Sequence, residues 1–482
     1  MSLPDGWEMV VGLEVHVELA TSTKLFCGCP NQFGAEPNTN VCPVCLGLPG
    51  SLPVLNERAL ELAATLATAL GCSVVASEFA RKNYFYPDMP KNYQITQYDR
   101  PLAVDGAVEL PDGHVVRVER LHLEEDTGKS VHVGGSGRIH EAVVSLEDYN
   151  RAGVPLVEIV SRPDIRSAEQ ARWYVEELRG IILATGASDA RMEEGSLRVD
   201  ANVSVRKAGS SEFGVRCEVK NLNSLRSLVR ALEHEAARQV SILSSGGSVR
   251  QQTLHWDEQA GRTRPGRSKE EAEDYRYFPD PDLPPLEPDP EWLGRLRERI
   301  PPLPAERRRR LADLLGVPTE RAKLVVERGL DELVASAAAA GGDPELLLVR
   351  AENDLTSERA RALDPAQLAL LVNMERDGKL TPNQSRAVLS EMVDSGDPVD
   401  VVVQRMGVRT VDPAELEEVV ERVIAENSSE WNEFVAGDAK RRGKLTGFFV
   451  GKVMKATRGQ ADGKLVSEIL LRKASGLGSE RE

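Results

Sequence analysis

Alternation of apolar and polar positions is the strongest signal in the first 290 residues. In Val10–Leu19 the apolar Leu13, Val15, Val17 and Leu19 interleave with Glu14, His16 and Glu18, the period-two pattern of a strand buried on one face. Val115–Leu123, Ala142–Leu146 and Leu197–Val205 are also rich in β-branched residues and largely alternate. Two segments switch to the helical period. Glu57–Leu70 is amphipathic, and in Ser224–Val240 the positions Leu225, Leu228, Val229 and Leu232 recur at i, i+3, i+4 and i+7, with Asn223 or Ser224 as N-cap. Beyond residue 290 the pattern predicts helices over Glu306–Leu315, Glu320–Ala340, Asp364–Arg376, Thr381–Ser395, Pro413–Glu426 and Lys444–Lys455. An α+β front half followed by an all-α rear half is the expected fold class.

Composition sharpens the division. All six cysteines, all seven histidines and most of the aromatic residues precede position 290. The stretch Pro279-Asp-Pro-Asp-Leu-Pro-Pro-Leu-Glu-Pro-Asp-Pro290 disfavours both helix and interior strand, so it marks a boundary. Chemistry is therefore expected in a domain spanning 1–290, with a helical domain at 291–405 and a helical tail at 406–482. With 482 residues, the chain is too long for one hydrophobic core. It has neither a run of 18 apolar residues nor an N-terminal secretory pattern, so a cytoplasmic protein without a membrane partner is expected. The net charge of −16 argues against binding a polyanion over the whole surface. Locally the balance reverses: Trp431–Glu482 holds eleven basic against six acidic side chains. Lys440, Arg441, Lys444, Lys452, Lys455 and Arg458 are the candidate RNA contacts there, and glycines at 437, 443, 447, 451, 459 and 463 permit close backbone approach.

Four cysteines have metal-ligand spacing. Cys27-Gly-Cys29 and Cys42-Pro-Val-Cys45 are two close pairs joined by a turn-rich loop, suited to a closed tetrahedral zinc site of structural type. Buried, reduced thiols are the plain alternative. Cys72 and Cys217 are isolated.

The acidic pattern is sharper. Glu14, His16 and Glu18 share a strand face, which by itself describes a solvated surface equally well. Two further clusters change that balance: His122-Leu-Glu124-Glu125-Asp126-Thr-Gly-Lys129-Ser130 and Arg198-Val-Asp200-Ala-Asn202-Val-Ser204. Carboxylates from several strands converging on a cleft suit Mg²⁺, and a histidine among them favours Mn²⁺ or a ligand-orienting role. Gly128-Lys129-Ser130 is not a P-loop, because Leu123 stands where the motif needs glycine. A dinucleotide-binding fingerprint and a Gly-x-Ser-x-Gly elbow are also absent. Cations, amides and aromatics are dense around Lys82, Tyr84 and Lys91, around Asn150, Arg151 and Glu158, around Lys220 and Asn221, and around Arg267 and Lys269.

In order along the front 285 residues stand GLEVHVEL, LFCGCPN, NVCPVCLGLPGSLPVLN, RKNYFYPDMPKNYQITQY, HLEEDTGKS, DYNRAGVPLVEIV, MEEGSLRVDANVSV, EVKNLNS and KEEAEDYRYFPDPDL, and the rear carries GKLTGFFVGKVMKATRGQADGKLV. In these strings the chain resembles the B-subunit family of the aspartyl/glutamyl-tRNA amidotransferases. The resemblance implies a cradle-like front domain around an antiparallel sheet, then a helical domain and a YqeY-like tail that grips tRNA. It implies a ligase that uses ATP to phosphorylate the side-chain carboxylate of misacylated Glu-tRNA(Gln) or Asp-tRNA(Asn), then amidates it with ammonia. The ammonia would come from an amidase A subunit, with a small C subunit joining the two. Carried onto this sequence, Glu14, His16, Glu124, Glu125 and Asp200 are the catalytic set, with Glu14, His16 and Glu125 as magnesium ligands and Glu124 an equal alternative to Glu125. Lys82, Tyr84, Lys91, Lys129, Asn150, Arg151, Glu158, Arg198, Lys220, Asn221, Arg267 and Lys269 would meet ATP or substrate. Two other readings remain: a noncatalytic zinc-containing RNA-binding protein, and a metallohydrolase using Glu14, His16 and Glu18.

Overall fold

The computed structural model describes residues 3–134, 142–266, 275–408, 413–457, 461 and 463–478, and in it the alternating segments join one large sheet. The strands are β1 (Trp7–Glu18), β2 (Ser73–Val74), β3 (Ala80–Asn83), β4 (Tyr93–Thr96), β5 (Ala103–Glu109) and β6 (Val115–Glu125). After a separate two-stranded hairpin of β7 (Lys129–Val133) and β8 (Val144–Asp148) come β9 (Pro155–Ser161), β10 (Leu197–Lys207), β11 (Cys217–Lys220), β12 (Thr253–Asp257), β13 (Arg262–Pro265) and β14 (Phe278–Pro279). The path across the sheet is β13-β12-β11-β10-β1-β9-β6-β4-β3-β14, with β5 on β6 and β2 on β5. Every pairing is antiparallel except β11 with β12.

Period-two alternation decides which face is covered. Val11, Leu13, Val15 and Val17 of β1 are fully buried and share a core with α1 (Glu57–Ala69), α2 (Ala168–Thr185) and α3 (Leu225–Ser244) through Leu62, Leu66, Tyr174, Leu178, Leu228 and Leu232. The opposite face keeps the polar side chains. Each helix starts on a side-chain cap: Asn56 accepts from the Arg58 and Ala59 amides, Ser167 from Gln170 and Ser224 from Ser227. Gly106 in β5 shows how tightly the sheet meets α1. A Cβ added there would lie 2.3 Å from Cys72 Sγ and 2.8 Å from Leu70 O. Gly106→Ala is expected to destabilise the front unit by about 1–3 kcal/mol, read as a lower denaturant midpoint.

The front unit runs to Glu306, past the proline-rich stretch. The reason is α4 (Pro290–Glu298), which packs on α1 with Leu296 buried and Arg299 reaching Glu61 at 3.3 Å. The second unit is helical. Its helices are α5 (Pro304–Leu315), α6 (Thr319–Glu327), α7 (Asp331–Ala339), α8 (Pro344–Asn353), α9 (Pro365–Arg376), α10 (Pro382–Ser395) and α11 (Val399–Met406), followed by α12 (Pro413–Glu426), α13 (Ser428–Ala436), α14 (Ala439–Ala456) and α15 (Gly463–Gly478). The single helix expected over Glu320–Ala340 is two, because Gly329 takes the left-handed conformation at φ +66° and ends the first. One apolar core gathers residues from Leu311 to Val402, and a separate one gathers Leu416, Val420, Trp431, Phe434, Phe449, Val466 and Leu470. Among the described residues no helix is long and apolar enough to cross a membrane.

Candidate active site

Strand register brings the sequence-predicted carboxylates together. His16 of β1 stands opposite Arg198 of β10 on one side and Glu158 of β9 on the other, and Glu158 stands opposite His122 of β6. The result is a row Arg198–His16–Glu158–His122 across four strands. Glu14 stands beside Asp200, one step along. Two histidines bracket two carboxylates: His16 Nε2 lies 3.7 Å from Glu124 Oε1 and 3.7 Å from Glu158 Oε2, and His122 Nε2 lies 3.7 Å from Glu124 Oε2 and 3.3 Å from Glu158 Oε2. A ligand atom from each of His16, Glu124 and Glu158 falls within 4.8 Å of the others, and the same holds for Glu14, Asp200 and Glu218. Oxygen-rich donor sets with one imidazole fit Mg²⁺ or Mn²⁺.

Glu125 does not join either group. It faces the other side of β6, where its Oε1 meets Lys91 Nζ at 2.5 Å and accepts from the Ile95 amide at 2.9 Å. Of the residues expected to hold magnesium, Glu125 thus stands apart from Glu14 and His16; strand parity puts Glu124 beside His16, and Glu158, expected among substrate contacts, stands with it. Sequence reasoning missed Glu218 as a partner. It sits on the four-residue β11, too short to show an alternating pattern, and its Oε1 is 3.0 Å from Lys220 Nζ.

Crowded charges perturb one another. Burial, then the charges of Glu158 and Glu218, raise the Glu14 carboxyl above its usual range, against the hydrogen bond from Asn202 Nδ2 at 2.9 Å. Glu158 moves the other way. Burial opposes its charge, but the His122 and His16 imidazoles hold it well below the ordinary carboxylate range. His122 is correspondingly raised by Glu158 and Glu124 despite complete burial. Lys220, 2.6 Å from Asp200, is held protonated by Asp200 and Glu218 although burial disfavours its charge. Glu18 is pushed up to about 7, by burial first and then by Asp126.

Of these groups His16, Glu124, Asp200 and Lys220 line a cleft of about 740 Å³ that also includes Asp126, Arg198, Asn221 and His255. Arg198 donates to Asp126 at 2.7 Å, and Arg151 approaches the same carboxylate at 3.4 Å while donating to the Thr127 and Gly128 carbonyls. A second cavity of about 590 Å³ shares Glu194 and Gly195 with the first and is lined by Glu18, Lys129, Asn150 and Arg151. Asn150 ties down the loop that links the two cysteine pairs, accepting from the Asn40 amide at 2.7 Å and donating to Glu36 O at 2.7 Å. Lys129 begins the β7 strand, not a helix, in keeping with rejection of the P-loop. Lys82 lies over the Tyr275 ring at 4.9 Å and Tyr84 packs on Tyr86 at 4.7 Å. Arg267, Lys269 and Arg458 lie outside the described residues.

The four sulfurs of Cys27, Cys29, Cys42 and Cys45 lie within 4.8 Å of one another, Cys42 and Cys45 at 3.9 Å. Tetrahedral zinc with bonds of about 2.3 Å sets its sulfurs roughly 3.8 Å apart, so the donor set fits. The Cys45 thiol is lowered, first by hydrogen bonding from Cys27, with the Lys24 charge contributing. Lys24 is completely buried and its Nζ donates to Tyr149 O at 3.2 Å. Its stem converges with Cys45 and Glu125 on Gly153, where an added Cβ would meet Lys24 Cδ at 3.5 Å, Cys45 Cβ at 3.6 Å and Glu125 Oε2 at 3.8 Å.

The fold and the cleft define a class that comparison with known proteins also finds. The GatB/GatE catalytic domain matches residues 9–294, and the GatB domain matches residues 329–473. The B subunit of the aspartyl/glutamyl-tRNA(Asn/Gln) amidotransferase from Nocardia farcinica is 49% identical over 97% of this chain and 96% of its own length. Its counterpart from Thermobifida fusca is 48% identical over 97% and 94%, and that from Carboxydothermus hydrogenoformans 47% identical over 98% and 99%. The chain belongs to the B-subunit family of these amidotransferases.

Proposed function

We propose that this chain is the component of a glutamine-dependent tRNA amidotransferase that activates the side-chain carboxylate of Glu-tRNA(Gln), Asp-tRNA(Asn) or both, and that it works together with an amidase and a small third protein. One carboxylate oxygen attacks the γ-phosphorus of ATP, the bond from phosphorus to the β–γ bridging oxygen breaks, and ADP leaves. Ammonia then attacks the acyl carbon, phosphate departs with the C–O bond, and nitrogen loses a proton. Such chemistry needs positioning and charge neutralisation more than a covalent nucleophile. The observation that carries the reading is the convergence of His16, Glu124 and Glu158 from three neighbouring strands, with Arg198 and Lys220 in the same cleft.

Within that cleft, His16, Glu124 and Glu158 would hold Mg²⁺ or Mn²⁺, with Glu14, Asp200 and Glu218 as a second carboxylate set. A bound divalent cation supplies neutralisation of triphosphate charge. Lys220 and Arg198 supply fixed positive charge at the edge of the carboxylates. None of the six cysteines lines the cleft: four are held together, Cys217 is buried and Cys72 lies against β5. A zinc-containing RNA-binding protein without catalysis would not need two carboxylate clusters that each send a side chain, Glu124 and Asp200, into one cavity. The test is amide formation on each mischarged tRNA by the chain assembled with its partners, ATP and glutamine. Absence of ATP-dependent amide on both tRNAs would overturn the reading.

The tail supports tRNA binding through α14. Lys440, Lys444, Lys452 and Lys455 are exposed along it, while Leu445, Phe449 and Val453 are buried on its other side. Arg441 is engaged by Glu433, and Lys452 lies over Phe448 at 5.4 Å. Gly443, Gly447 and Gly451 have nothing within 4 Å of an added Cβ, so the backbone there is open to close approach. Removing the tail at Glu430 would bare Leu416, Val420 and Val423 of α12, which belong to the same core, so the clean truncation ends at Val408. This truncation is expected to raise KM for tRNA while kcat at saturation stays nearly intact. The salt dependence should flatten by roughly 0.7–0.9 in log–log slope for each phosphate contact removed. An unchanged slope would place the tRNA elsewhere.

A further inference from the structure

A group of aromatic rings lies beside the acidic cleft and has no part in the phosphoryl chemistry above. Tyr98 and Tyr277 stack with centroids 4.2 Å apart and planes 11° apart. Tyr275 meets Tyr277 edge-on at 6.1 Å, and the Lys82 ammonium covers Tyr275. β4 leads from the Glu124 neighbourhood to Tyr98, two residues past its end. Thr96 is the cross-strand partner of Glu124 and donates to its Oε2 at 3.3 Å. Gln97 is fully buried, donating to Ser77 and accepting from the Leu123 amide, and the chain bends at Tyr98. Tyr277 feels the same carboxylates: burial, the two neighbouring tyrosines and then Glu124 and Glu158 push its phenol upward.

The scaffold holding this pair is elaborate for a sheet edge. Asn83 Nδ2 donates to the Tyr275 and Arg276 carbonyls, both at 2.9 Å. Arg81 bridges Asp280 at 2.8 Å and Asp282 at 2.7 Å, and β14 pairs with β3 immediately after Tyr277. Arg276, between the two tyrosines, is held at φ +44°, a left-handed conformation that is unfavourable for a long side chain. Despite this anchoring the stack is not sealed: Tyr98 remains 48% exposed. A rigid, half-open tyrosine pair next to phosphate-handling groups is a stacking surface for a base.

We propose that the open face of the Tyr98–Tyr277 stack seats an adenine ring, resting on the function proposed above, in which ATP and the 3′-terminal adenosine of tRNA both carry that base close to the reacting atoms. Stacking fixes the base while the phosphates or the esterified amino acid extend toward His16, Glu124 and Glu158.

The test uses the assembled amidotransferase and 2-aminopurine, an adenine isomer whose fluorescence falls on stacking. One probe is 2-aminopurine riboside triphosphate; the other is tRNA ending in 2-aminopurine. Wild-type protein and Tyr98→Phe should quench one probe. Tyr98→Leu should lose that quenching and raise KM for the corresponding substrate alone by roughly 5- to 150-fold, with kcat at saturation nearly unchanged. Tyr277→Leu, checked for an unaltered melting profile, should do the same. Quenching of the triphosphate assigns the seat to ATP, and quenching of the tRNA to its terminal adenosine. If neither probe is quenched by wild-type protein, or if Tyr98→Leu leaves both KM values unchanged, the adenine seat is overturned. A wild-type complex that quenches a probe yet makes no amide would instead overturn the functional reading and leave the seat standing.

Discussion

Glu158→Gln is expected to lower kcat for amide formation by about 10²–10³ while KM for tRNA stays within a few-fold. The substitution keeps the shape of the side chain but removes the charge at the meeting point of His16 and His122. Glu158 touches both histidines of the row and shares with His16 and Glu124 a geometry that could hold a metal ion. Its charge matters most while the phosphoryl group is moving, so the loss belongs in turnover and not in association. His16→Ala and Glu14→Gln should behave alike, since His16 shares the same group and Glu14 the neighbouring one. Glu125→Gln is a useful contrast. It would disturb the pair with Lys91 on the other face of β6, so it should not mimic loss of a cation ligand. ATP turnover stimulated by mischarged tRNA gives a direct reading, and near-normal turnover in Glu158→Gln would remove this cluster from the reaction.

Cys42→Ser is expected to have the largest effect on folding. Metal analysis should fall from about one zinc per chain to none, and the front unit should melt far earlier, because zinc binding and local folding are one process. The physical reason lies under the thiolates. Lys24 is fully buried, its Nζ donates to Tyr149 O, and its charge acts on the Cys45 thiol. A site that has lost its zinc has thiols that can take protons, and the ammonium then loses part of its counter-charge. If the wild-type protein contains no zinc, the cysteine cluster needs a different explanation.

Much of this was legible in the sequence because period-two alternation is a strong signal on long strands. β1, β6 and β10 are all at least eleven residues long, and each was placed nearly to its ends. His122 and Glu124, two residues apart on β6, share a face as strand parity requires. What the pattern could not supply was pairing. That Glu158 stands between His16 and His122 depends on β9 inserting between β1 and β6, and no local signal encodes which strands are neighbours. Short elements were equally silent: β11 with Glu218 and β14 beside Tyr277 are four and two residues long. α2 is absent from the sequence-based set although Ala171, Tyr174, Val175, Leu178 and Ile182 follow a helical period, and all are buried. The Gly329 break was readable in principle, since a glycine inside a helical pattern is also a candidate stop.

The position of β1 bears on how the protein is made. It leaves the ribosome before the other strands of its sheet and lies at the middle of that sheet, yet its two neighbours, β9 and β10, begin at Pro155 and Leu197. Until well over a hundred further residues have been synthesised, Met9–Val17 has exposed backbone edges on both sides and an uncovered row of valine and leucine. Such a segment is a template for pairing with other chains. Nascent chains halted before β10 should therefore hold no assembled carboxylate centre and should be strong clients of chaperones that shield extended apolar segments. Release of the shield would then coincide with completion of the Arg198–His16–Glu158–His122 row.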